Sequence, residues 1–430
     1  MRTRAHIPLV LAVTLAASLT GYGGGSEPTA DDPVQLTYWS WAPNIEDVVA
    51  TWNAENPEIQ VSVTDAGGNT DTATKLVTQT RAGNAPDMAQ VEYPTLPSLV
   101  VGEVAADITD LIDDETLDAY TDSTLALTTF NDALYAVPQD VGPMMMLYRA
   151  DRFEELGLEV PTTWEDYART AEQVRQLDPS SYLGTFSTDQ TGFFAGMAQQ
   201  AGAQWWSVDG EAWSVGIDDD ASLAVADYWQ DLADRDAVQV APILTPEWNA
   251  QVADGQVLTW PSAVWAPGVI EDVAPDTAGS WAMAPLPQWE EGDSAVGLQG
   301  GSSSIVTTSS DHPEEAAEFL SWLNSSDEGA TALLTTVNNY PAATAGQEAA
   351  VDTEPPALVA GQDDYYALAA DIASDTLPVT WGPNYNVTNA AFADALGAAV
   401  EGGGTFRDAL VQVQETTVSD MEETGYEVTG

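Results

Sequence analysis

Aromatic and acidic side chains stand at the ends of segments that the sequence predicts to be strands. Trp39 and Trp41 close the first segment, and Glu92 and Tyr93 close the third. Ligands of open α/β sheets bind at the carboxyl ends of the strands, so side chains at these positions would reach a ligand. Aromatic rings stack on apolar C–H faces, whereas carboxylates and amides pair with hydroxyl groups. The combination indicates a site for a sugar-like ligand.

Further candidates of the same chemistry follow along the chain, which contains fifteen Trp. Gln139 and Asp140 lie between two apolar segments, and Trp205 and Trp206 flank a predicted hairpin. The predicted ligand-binding residues are Trp39, Trp41, Glu92, Tyr93, Gln139, Asp140, Trp205, Trp206, Trp260, Trp265, Gly300, Gly301, Tyr340, Trp381 and Tyr385.

Several of these residues have a structural alternative. Strand alternation puts Trp39 and Trp41 on one face, where one of them would serve the core. Trp205 and Trp206 would equally pin the hairpin, and Glu92 is one acid among 68. A Gly pair either lets the backbone approach a ligand or provides the freedom that a hinge needs, so Gly300 and Gly301 are open to both interpretations.

The composition excludes several kinds of enzyme. The chain has no Cys, which removes thiol chemistry, and of its two His only His312 follows the apolar N-terminal segment. A catalytic triad or a multi-histidine metal site cannot be built from one His. No phosphate-binding loop or EF-hand-like loop occurs, so we expect no cofactor and no metal. A glycosidase stays open, because it needs only two carboxylates and aromatic subsites.

Charge further restricts the partners. The chain has 68 Asp and Glu against 10 Lys and Arg, a formal net charge of −58. Such a surface repels nucleic acids and anionic membranes. Anionic ligands normally require Arg or Lys, so a neutral sugar is favoured and a cationic solute such as a polyamine remains an alternative. The acidity itself fits either adaptation to a salty exterior or the composition of the lineage.

The N-terminus predicts export. Arg2 and Arg4 precede an apolar run at residues 7–19, too short to span a membrane, which is typical of a signal peptide over residues 1–22. Residues 19–22 resemble a bacterial lipobox in which Tyr22 replaces the lipid-modified Cys. Ordinary signal-peptidase cleavage and an altered sequence both explain Tyr22. Residues 23–33 are rich in Gly, Ser, Pro and Asp and predict a flexible tether.

Periodicity predicts alternating strands and helices after this tether. Strands at 34–39, 58–63 and 86–91 enclose helices near 45–52 and 70–82, which indicates a parallel sheet covered by helices. Residues 133–137 and 144–148 are predicted as two strands separated by a bend at 138–143. A second α/β region begins there, and helices from about residues 386 and 405 end the chain.

Seven short stretches, in this order, resemble bacterial extracellular solute-binding proteins of the sugar-binding type, the group that includes maltose-binding protein. They are residues 36–41 (LTYWSW), 82–88 (AGNAPDM), 134–140 (LYAVPQD), 147–157 (LYRADRFEELG), 161–166 (PTTWED), 313–320 (PEEAAEFL) and 339–342 (NYPA).

The resemblance implies an α/β, two-lobed periplasmic-binding-protein fold with discontinuous lobes joined by hinge strands. The chain would cross between lobes near residues 143, 299 and 344, giving lobe 1 residues 34–143 plus 300–343 and lobe 2 residues 144–299 plus 344–430. The lobes would close on a ligand. It also implies an exported, non-enzymatic monomer that delivers its sugar to an ABC permease and ATPase.

Overall fold

A computed structural model of the chain describes residues 32–67, 69–210 and 212–429. The predicted signal peptide and nearly all of the predicted tether therefore lie outside the described residues. The strands are β1 (Val34–Trp39), β2 (Ile59–Thr64), β3 (Met88–Glu92), β4 (Thr129–Phe130), β5 (Ala133–Leu134), β6 (Val137–Arg149), β7 (Thr185–Phe186), β8 (Trp206–Asp209), β9 (Ala212–Val215), β10 (Gln239–Val240), β11 (Thr259–Ala263), β12 (Trp281–Pro285), β13 (Leu298–Val306) and β14 (Val428–Thr429).

The α-helices alternate with these strands. They are α1 (Ile45–Glu55), α2 (Asn69–Ala82), α3 (Leu96–Val101), α4 (Asp114–Asp118), α5 (Asp122–Leu125), α6 (Ala150–Leu156), α7 (Trp164–Leu177), α8 (Thr191–Gln200), α9 (Asp220–Asp234), α10 (Pro246–Ala253), α11 (Ala266–Val273), α12 (Pro313–Ser325), α13 (Asp327–Thr335), α14 (Thr344–Ala350), α15 (Tyr365–Ser374), α16 (Tyr385–Ala398) and α17 (Phe406–Glu423). Among the described residues, none of the helices has the length and apolar character needed to cross a membrane.

Local sequence explains the first elements directly. In β1, Leu36 and Tyr38 are buried on one face while Gln35 and Thr37, before and between them, are exposed. In α1, the buried residues Val48, Val49 and Trp52 recur at helical spacing. The strand–helix–strand order predicted for residues 34–91 is confirmed.

One seven-stranded sheet runs through the molecule in the order β11-β6-β13-β3-β1-β2, with β12 also paired to β6. β1 pairs in parallel with β2 and β3, whereas β13 runs antiparallel to β3 and β6. The second half of β6 pairs with β11 and β12. We call the half of the molecule built on β1, β2 and β3 the first lobe and the half built on β11 and β12 the second lobe; β6 and β13 belong to both.

The predicted bend at residues 138–143 is wrong. β6 continues through it as a single strand from Val137 to Arg149. Two register shifts against β13 accommodate the irregular residues, one between Leu298 and Gly301 and one between Ser302 and Ser303. The second shift leaves Gln139 as an extra residue, a β-bulge, which is how a strand tolerates a neighbouring Pro.

The third crossing between the lobes comes later than residue 344. Thr344 donates from its backbone N–H and its hydroxyl to the carbonyl of Ala119, and a Cβ on Gly346 would lie 2.9 Å from the Cβ of Ala330. α14 therefore packs on the first lobe. By contrast, the N–H of Leu358 donates to Glu271 of the second lobe at 2.7 Å. The crossing lies between α14 and Leu358.

Candidate functional site

Two carboxylates share one row of the sheet where the lobes meet. Glu92 ends β3 and pairs with Ser302 of β13, and Ser302 in turn pairs with Asp140 of β6. Cross-strand partners point to the same face, and the spacing between neighbouring strands is about 4.8 Å, so the Cα atoms of the two acids lie about 10 Å apart. The Ser302 hydroxyl donates to Asp140, which is 7% exposed, while Glu92 is partly exposed.

Burial raises the pKa of both carboxyl groups toward neutral pH. It raises the pKa of Glu92 to about 7, with the charge of Asp140 as a second cause. Burial raises the pKa of Asp140 to about 6 against the opposing hydrogen bonds from Ser302. Above these values both groups are strong hydrogen-bond acceptors, suited to hydroxyl or ammonium donors of a ligand.

An aromatic group of the second lobe lies near Glu92, because α16, which begins at Tyr385, contacts residues 93–95. The ring of Trp381 lies 5.4 Å from Tyr385 and 6.1 Å from Trp206, between centroids. Burial, and then the charge of Glu92, raise the pKa of the Tyr385 hydroxyl, so Tyr385 lies within electrostatic reach of the first lobe. The buried Nε1–H of Trp381 lacks a hydrogen-bond partner among the described residues, and a ligand oxygen would satisfy it.

The two predicted glycines lie where β13 passes from one lobe to the other. Gly300 has a φ of 72° and Gly301 a φ of 85°, both in the left-handed region that favours Gly. A Cβ on Gly301 would lie 2.9 Å from Cε2 of Tyr93, and one on Gly300 would lie 3.3 Å from Nε1 of Trp265. The hinge interpretation of this pair therefore has a geometric basis in the backbone angles and the packing.

Trp265 lies beside this crossing. Its Nε1–H donates to the carbonyl of Gln299 at 2.9 Å, and its partly exposed ring meets Trp260 edge-on at 5.8 Å. Trp260 is 3% exposed and packs on Trp248, so it supports Trp265 from the core side.

Trp39 and Trp41 have different surroundings, in line with the alternative that one of them serves the core. Trp39 packs against the small cluster that contains Leu76 and Val91. Trp41 lies beyond the end of β1, is partly exposed, and donates its backbone N–H to Oε1 of Gln90 at 3.3 Å. Both indoles are partly exposed, but Trp41 packs against neither core cluster and so is the stronger ligand-binding candidate of the pair.

Trp381 and Tyr385 are themselves buried, at 5% and 7% exposed, and five further predicted residues lie in the interior. Gln139 is fully buried, and its Oε1 accepts hydrogen bonds from the hydroxyls of Tyr38 and Ser304. Trp205 donates to Ser222 at 3.0 Å inside the main core. The edge of Trp206 lies against Gly382, where a Cβ would come within 2.1 Å of Nε1, so it supports the segment that carries Trp381. Tyr93 and Tyr340 are 0% and 3% exposed, each with a hydroxyl unpartnered among the described residues.

A buried polar set beneath the row was not predicted: Ser40, Gln90 and Ser302. Gln90 Nε2 donates to the Ser302 hydroxyl at 2.9 Å, and the Ser40 hydroxyl donates to Gln90 Oε1 at 2.7 Å. The available signal was the presence of polar residues inside predicted buried strands, since such groups need internal partners.

Metal-ligand clusters and surface cavities in the described residues do not point to a second site. No cluster of three or more potential metal ligands occurs among residues 32–67, 69–210 and 212–429. Two surface cavities, of about 400 and 440 Å³, lie away from the carboxylate row, one beside Asp107 and Thr308 and one beside Trp164 and Tyr228.

Comparisons with known proteins agree with this architecture. The family model described as bacterial extracellular solute-binding protein matches residues 38–330. The arabinooligosaccharide-binding protein of Bacillus subtilis (strain 168) is 26% identical over 337 residues, 75% of this chain and 76% of that protein. The lactose-binding protein of Rhizobium radiobacter is 26% identical over 310 residues, 68% of this chain and 71% of that protein.

Solved structures give the same result. The galacto-N-biose-/lacto-N-biose I-binding protein of the ABC transporter from Bifidobacterium longum, in complex with lacto-N-biose, is 28% identical with a TM-score of 0.83, covering 92% of this chain and 99% of that one. An ABC transporter associated binding protein from B. animalis subsp. lactis Bl-04 has the same TM-score at 24% identity, covering 93% and 100%, which bears on the fold alone.

The comparisons confirm the predicted α/β, two-lobed periplasmic-binding-protein fold. They also resolve the choice between a binding protein and a glycosidase in favour of binding, because the matched family consists of solute-binding proteins rather than enzymes. With the family model covering residues 38–330, this chain belongs to the bacterial extracellular solute-binding proteins.

Proposed function

We propose that this protein is the substrate-binding component of an ABC importer and captures a neutral oligosaccharide between its two lobes. The observation that carries the proposal is the row of Glu92 and Asp140 beside the start of α16, which brings Tyr385 of the Trp381–Tyr385 aromatic pair near Glu92 where the lobes meet. The names of relatives that bind arabinooligosaccharide, lactose or lacto-N-biose support the class of ligand.

The chemistry of the site matches a sugar on both of its surfaces. Indole and phenol rings such as Trp41, Trp381 and Tyr385 offer faces for the C–H surface of a pyranose. The carboxylates accept hydrogen bonds from hydroxyls, and the Trp381 Nε1–H donates to a ring or hydroxyl oxygen. Each such group is left unpaired by a ligand that lacks the matching atom, which is the physical source of specificity.

The Arg side chains of the second lobe are engaged in ion pairs, which supports a neutral rather than an anionic ligand. In the described part of the second lobe, each Arg forms an ion pair with a carboxylate: Arg149, Arg152, Arg169, Arg175, Arg235 and Arg407. A phosphorylated sugar or a uronate would meet Glu92 and Asp140 without such a partner.

A cationic solute such as a polyamine is the second candidate. It is favoured by one observation: two carboxylates share one row of the sheet, and the charge of Asp140 contributes to the raised pKa of Glu92. Two carboxylates facing a cleft would each gain from an ammonium group. Sugars and polyamines are separated by direct binding measurements.

The location and the partners of the protein follow from its N-terminal segment and its family. We propose that residues 1–22 direct export, that residues 23–33 form a flexible segment before the folded lobes, and that the protein acts at the outer face of the cytoplasmic membrane or in the periplasm. The mature protein acts as a monomer and delivers its ligand to a permease and its ATPase. Its first lobe comprises residues 34–143 with 300–350, so that it includes α14, and its second lobe comprises residues 144–299 with the chain from about residue 358 onward.

The test is a ligand screen with residues 27–430. Thermal unfolding is recorded with neutral mono- and oligosaccharides, polyamines and phosphorylated sugars, and hits are measured by calorimetry. A ligand at 100 times its Kd stabilises the folded state by about 2.7 kcal/mol, which raises the melting temperature measurably. A neutral sugar that binds and is recovered intact supports the proposal. Binding of a polyamine but of no sugar would refute the sugar assignment.

A further inference from the structure

Four buried side chains form a continuous hydrogen-bonded chain beneath the carboxylate row. The Ser40 hydroxyl donates to Gln90 Oε1 at 2.7 Å, Gln90 Nε2 donates to the Ser302 hydroxyl at 2.9 Å, and the Ser302 hydroxyl donates to Asp140 Oδ1. The four side chains are between 1% and 7% exposed. These hydrogen bonds connect β1, β3, β13 and β6, and the last of them ends on a carboxylate of the proposed site.

When Asp140 is ionised, the direction of every hydrogen bond in this series of four side chains is fixed. Ionised Asp140 can only accept, so the single hydroxyl proton of Ser302 is committed to it. Ser302 must then accept from an amide N–H, which places Nε2 of Gln90 toward β13. Gln90 Oε1 therefore faces β1, where it accepts from the Ser40 hydroxyl and from the backbone N–H of Trp41 at 3.3 Å. Aligned donors of this kind polarise one another.

We propose that Gln90 and Ser302 are positioning residues that hold Asp140 as an ionised acceptor and fix the peptide of Trp41. Through these two groups, the buried residues control the affinity of the site for its ligand. The inference rests on the proposed function only in that Asp140 and Trp41 contact the ligand. Neither Gln90 nor Ser302 has to touch the ligand to act in this way.

The surroundings of Asp140 show why such a chain is needed. The ionisable groups that face it are Glu92 and Tyr93 at the end of β3 and Tyr38 on β1, and none of them carries positive charge. Burial raises the pKa of Asp140, and the opposing contributions come from hydrogen bonds, foremost the Ser302 hydroxyl. The hydroxyl thus takes the role that an Arg or Lys would fill elsewhere.

Ser302→Ala tests the inference, with Ser304→Ala as its matched control. Both serines lie on β13, are at most 3% exposed and lose a buried hydrogen bond, but Ser304 bonds to Gln139 and Tyr38 instead of Asp140. In protein labelled with carboxyl-¹³C aspartate, with the Asp140 signal assigned through Asp140→Asn, we expect Ser302→Ala to raise the pKa of Asp140 by about one pH unit. Ser304→Ala should leave it unchanged, and Ser302→Thr should restore it.

Ligand binding supplies the second readout. For a sugar identified by the screen, Ser302→Ala should weaken binding about tenfold near pH 6.5, whereas Ser304→Ala should change it less than twofold. Equal effects of the two substitutions on both readouts would overturn the inference. If the wild-type protein binds no sugar, the proposed function fails. The carboxyl titration still decides whether the hydrogen bonds from Gln90 and Ser302 control the pKa of Asp140. If Ser302→Ala does not fold, Gln90→Met is expected to shift the titration in the same direction.

Discussion

Replacing Glu92 by Gln should stabilise the ligand-free protein while weakening its binding of sugar. Burial raises the pKa of Glu92 from 4.5 to about 7, so the folded protein holds a charge at pH 8 that its surroundings disfavour. A pKa difference of one pH unit corresponds to about 1.4 kcal/mol, so the full rise corresponds to at most about 3 kcal/mol. Because Glu92 is partly exposed to water, we expect Gln to add about 1–3 kcal/mol to the free energy of unfolding at pH 8.

The sign of the pH dependence follows from proton counting. Between about pH 4.5 and pH 7 the folded protein keeps the Glu92 proton that the unfolded chain has lost, so this group favours folding more as the pH falls. The penalty in the wild-type protein is complete above pH 7 and nearly absent at pH 5. The advantage of Glu92→Gln should therefore shrink to below about 1 kcal/mol at pH 5.

Urea unfolding followed by Trp fluorescence, at pH 8 and pH 5 and constant salt, measures both values. Glu159→Gln is the matched control, since Glu159 is exposed in the loop after α6 and should give no gain at either pH. Destabilisation by Glu92→Gln at pH 8, or an equal gain at both pH values, would refute the argument that burial penalises this carboxylate. In the same variant, sugar affinity should fall at pH 8, because an amide accepts hydroxyl protons less strongly than a carboxylate does.

Three further outcomes are expected. Gly301→Ala should cost about 2–4 kcal/mol of stability by urea unfolding, and Gly83→Ala only about 1 kcal/mol: both have positive φ, but a Cβ on Gly83 meets no atom within 4 Å. Trp41→Ala should weaken sugar binding at least about tenfold by calorimetry, with a stability loss below about 1 kcal/mol, since its partly exposed ring belongs to neither core cluster. The melting temperature should rise between low and molar NaCl, because 68 acids against 10 bases repel one another until salt screens them; a flat curve would favour lineage composition.

Most of the fold could be predicted because local patterns and tertiary packing agree. Alternation identifies β1, and the helical spacing of Val48, Val49 and Trp52 identifies α1. The continuous strand β6 could not be predicted, because Pro138 and Pro143 normally mark the end of a strand. Only the partner strand β13, distant in sequence, supplies the register shifts that accommodate them.

The candidate site was harder to predict, because residue type does not separate a binding indole from a core indole. Trp205 and Trp41 have the same chemistry, yet one lies in the core and the other is partly exposed. The difference arises from packing against other elements, such as the Ser222 hydroxyl that accepts from Trp205 and the distant Phe392, whose ring lies 6.4 Å from that of Trp205. Gln90 and Ser302 were missed for the same reason, since each gains its role only through hydrogen bonds between strands.

The shared strands β6 and β13 suggest how ligand binding is coupled to movement of the lobes. Ser302, whose hydroxyl holds Asp140, directly follows the two positive-φ glycines at the crossing. On β6, a Cβ on Gly142 would lie 2.1 Å from the carbonyl oxygen of Gln299, so the crossing strands are packed backbone to backbone. Rotation of the lobes about Gly300 and Gly301 would therefore turn the backbone immediately before Ser302, the residue that holds Asp140. We expect a ligand that binds ionised Asp140 to favour the lobe arrangement in which this bond is made, because a ligand shifts an equilibrium by its difference in affinity for the two states.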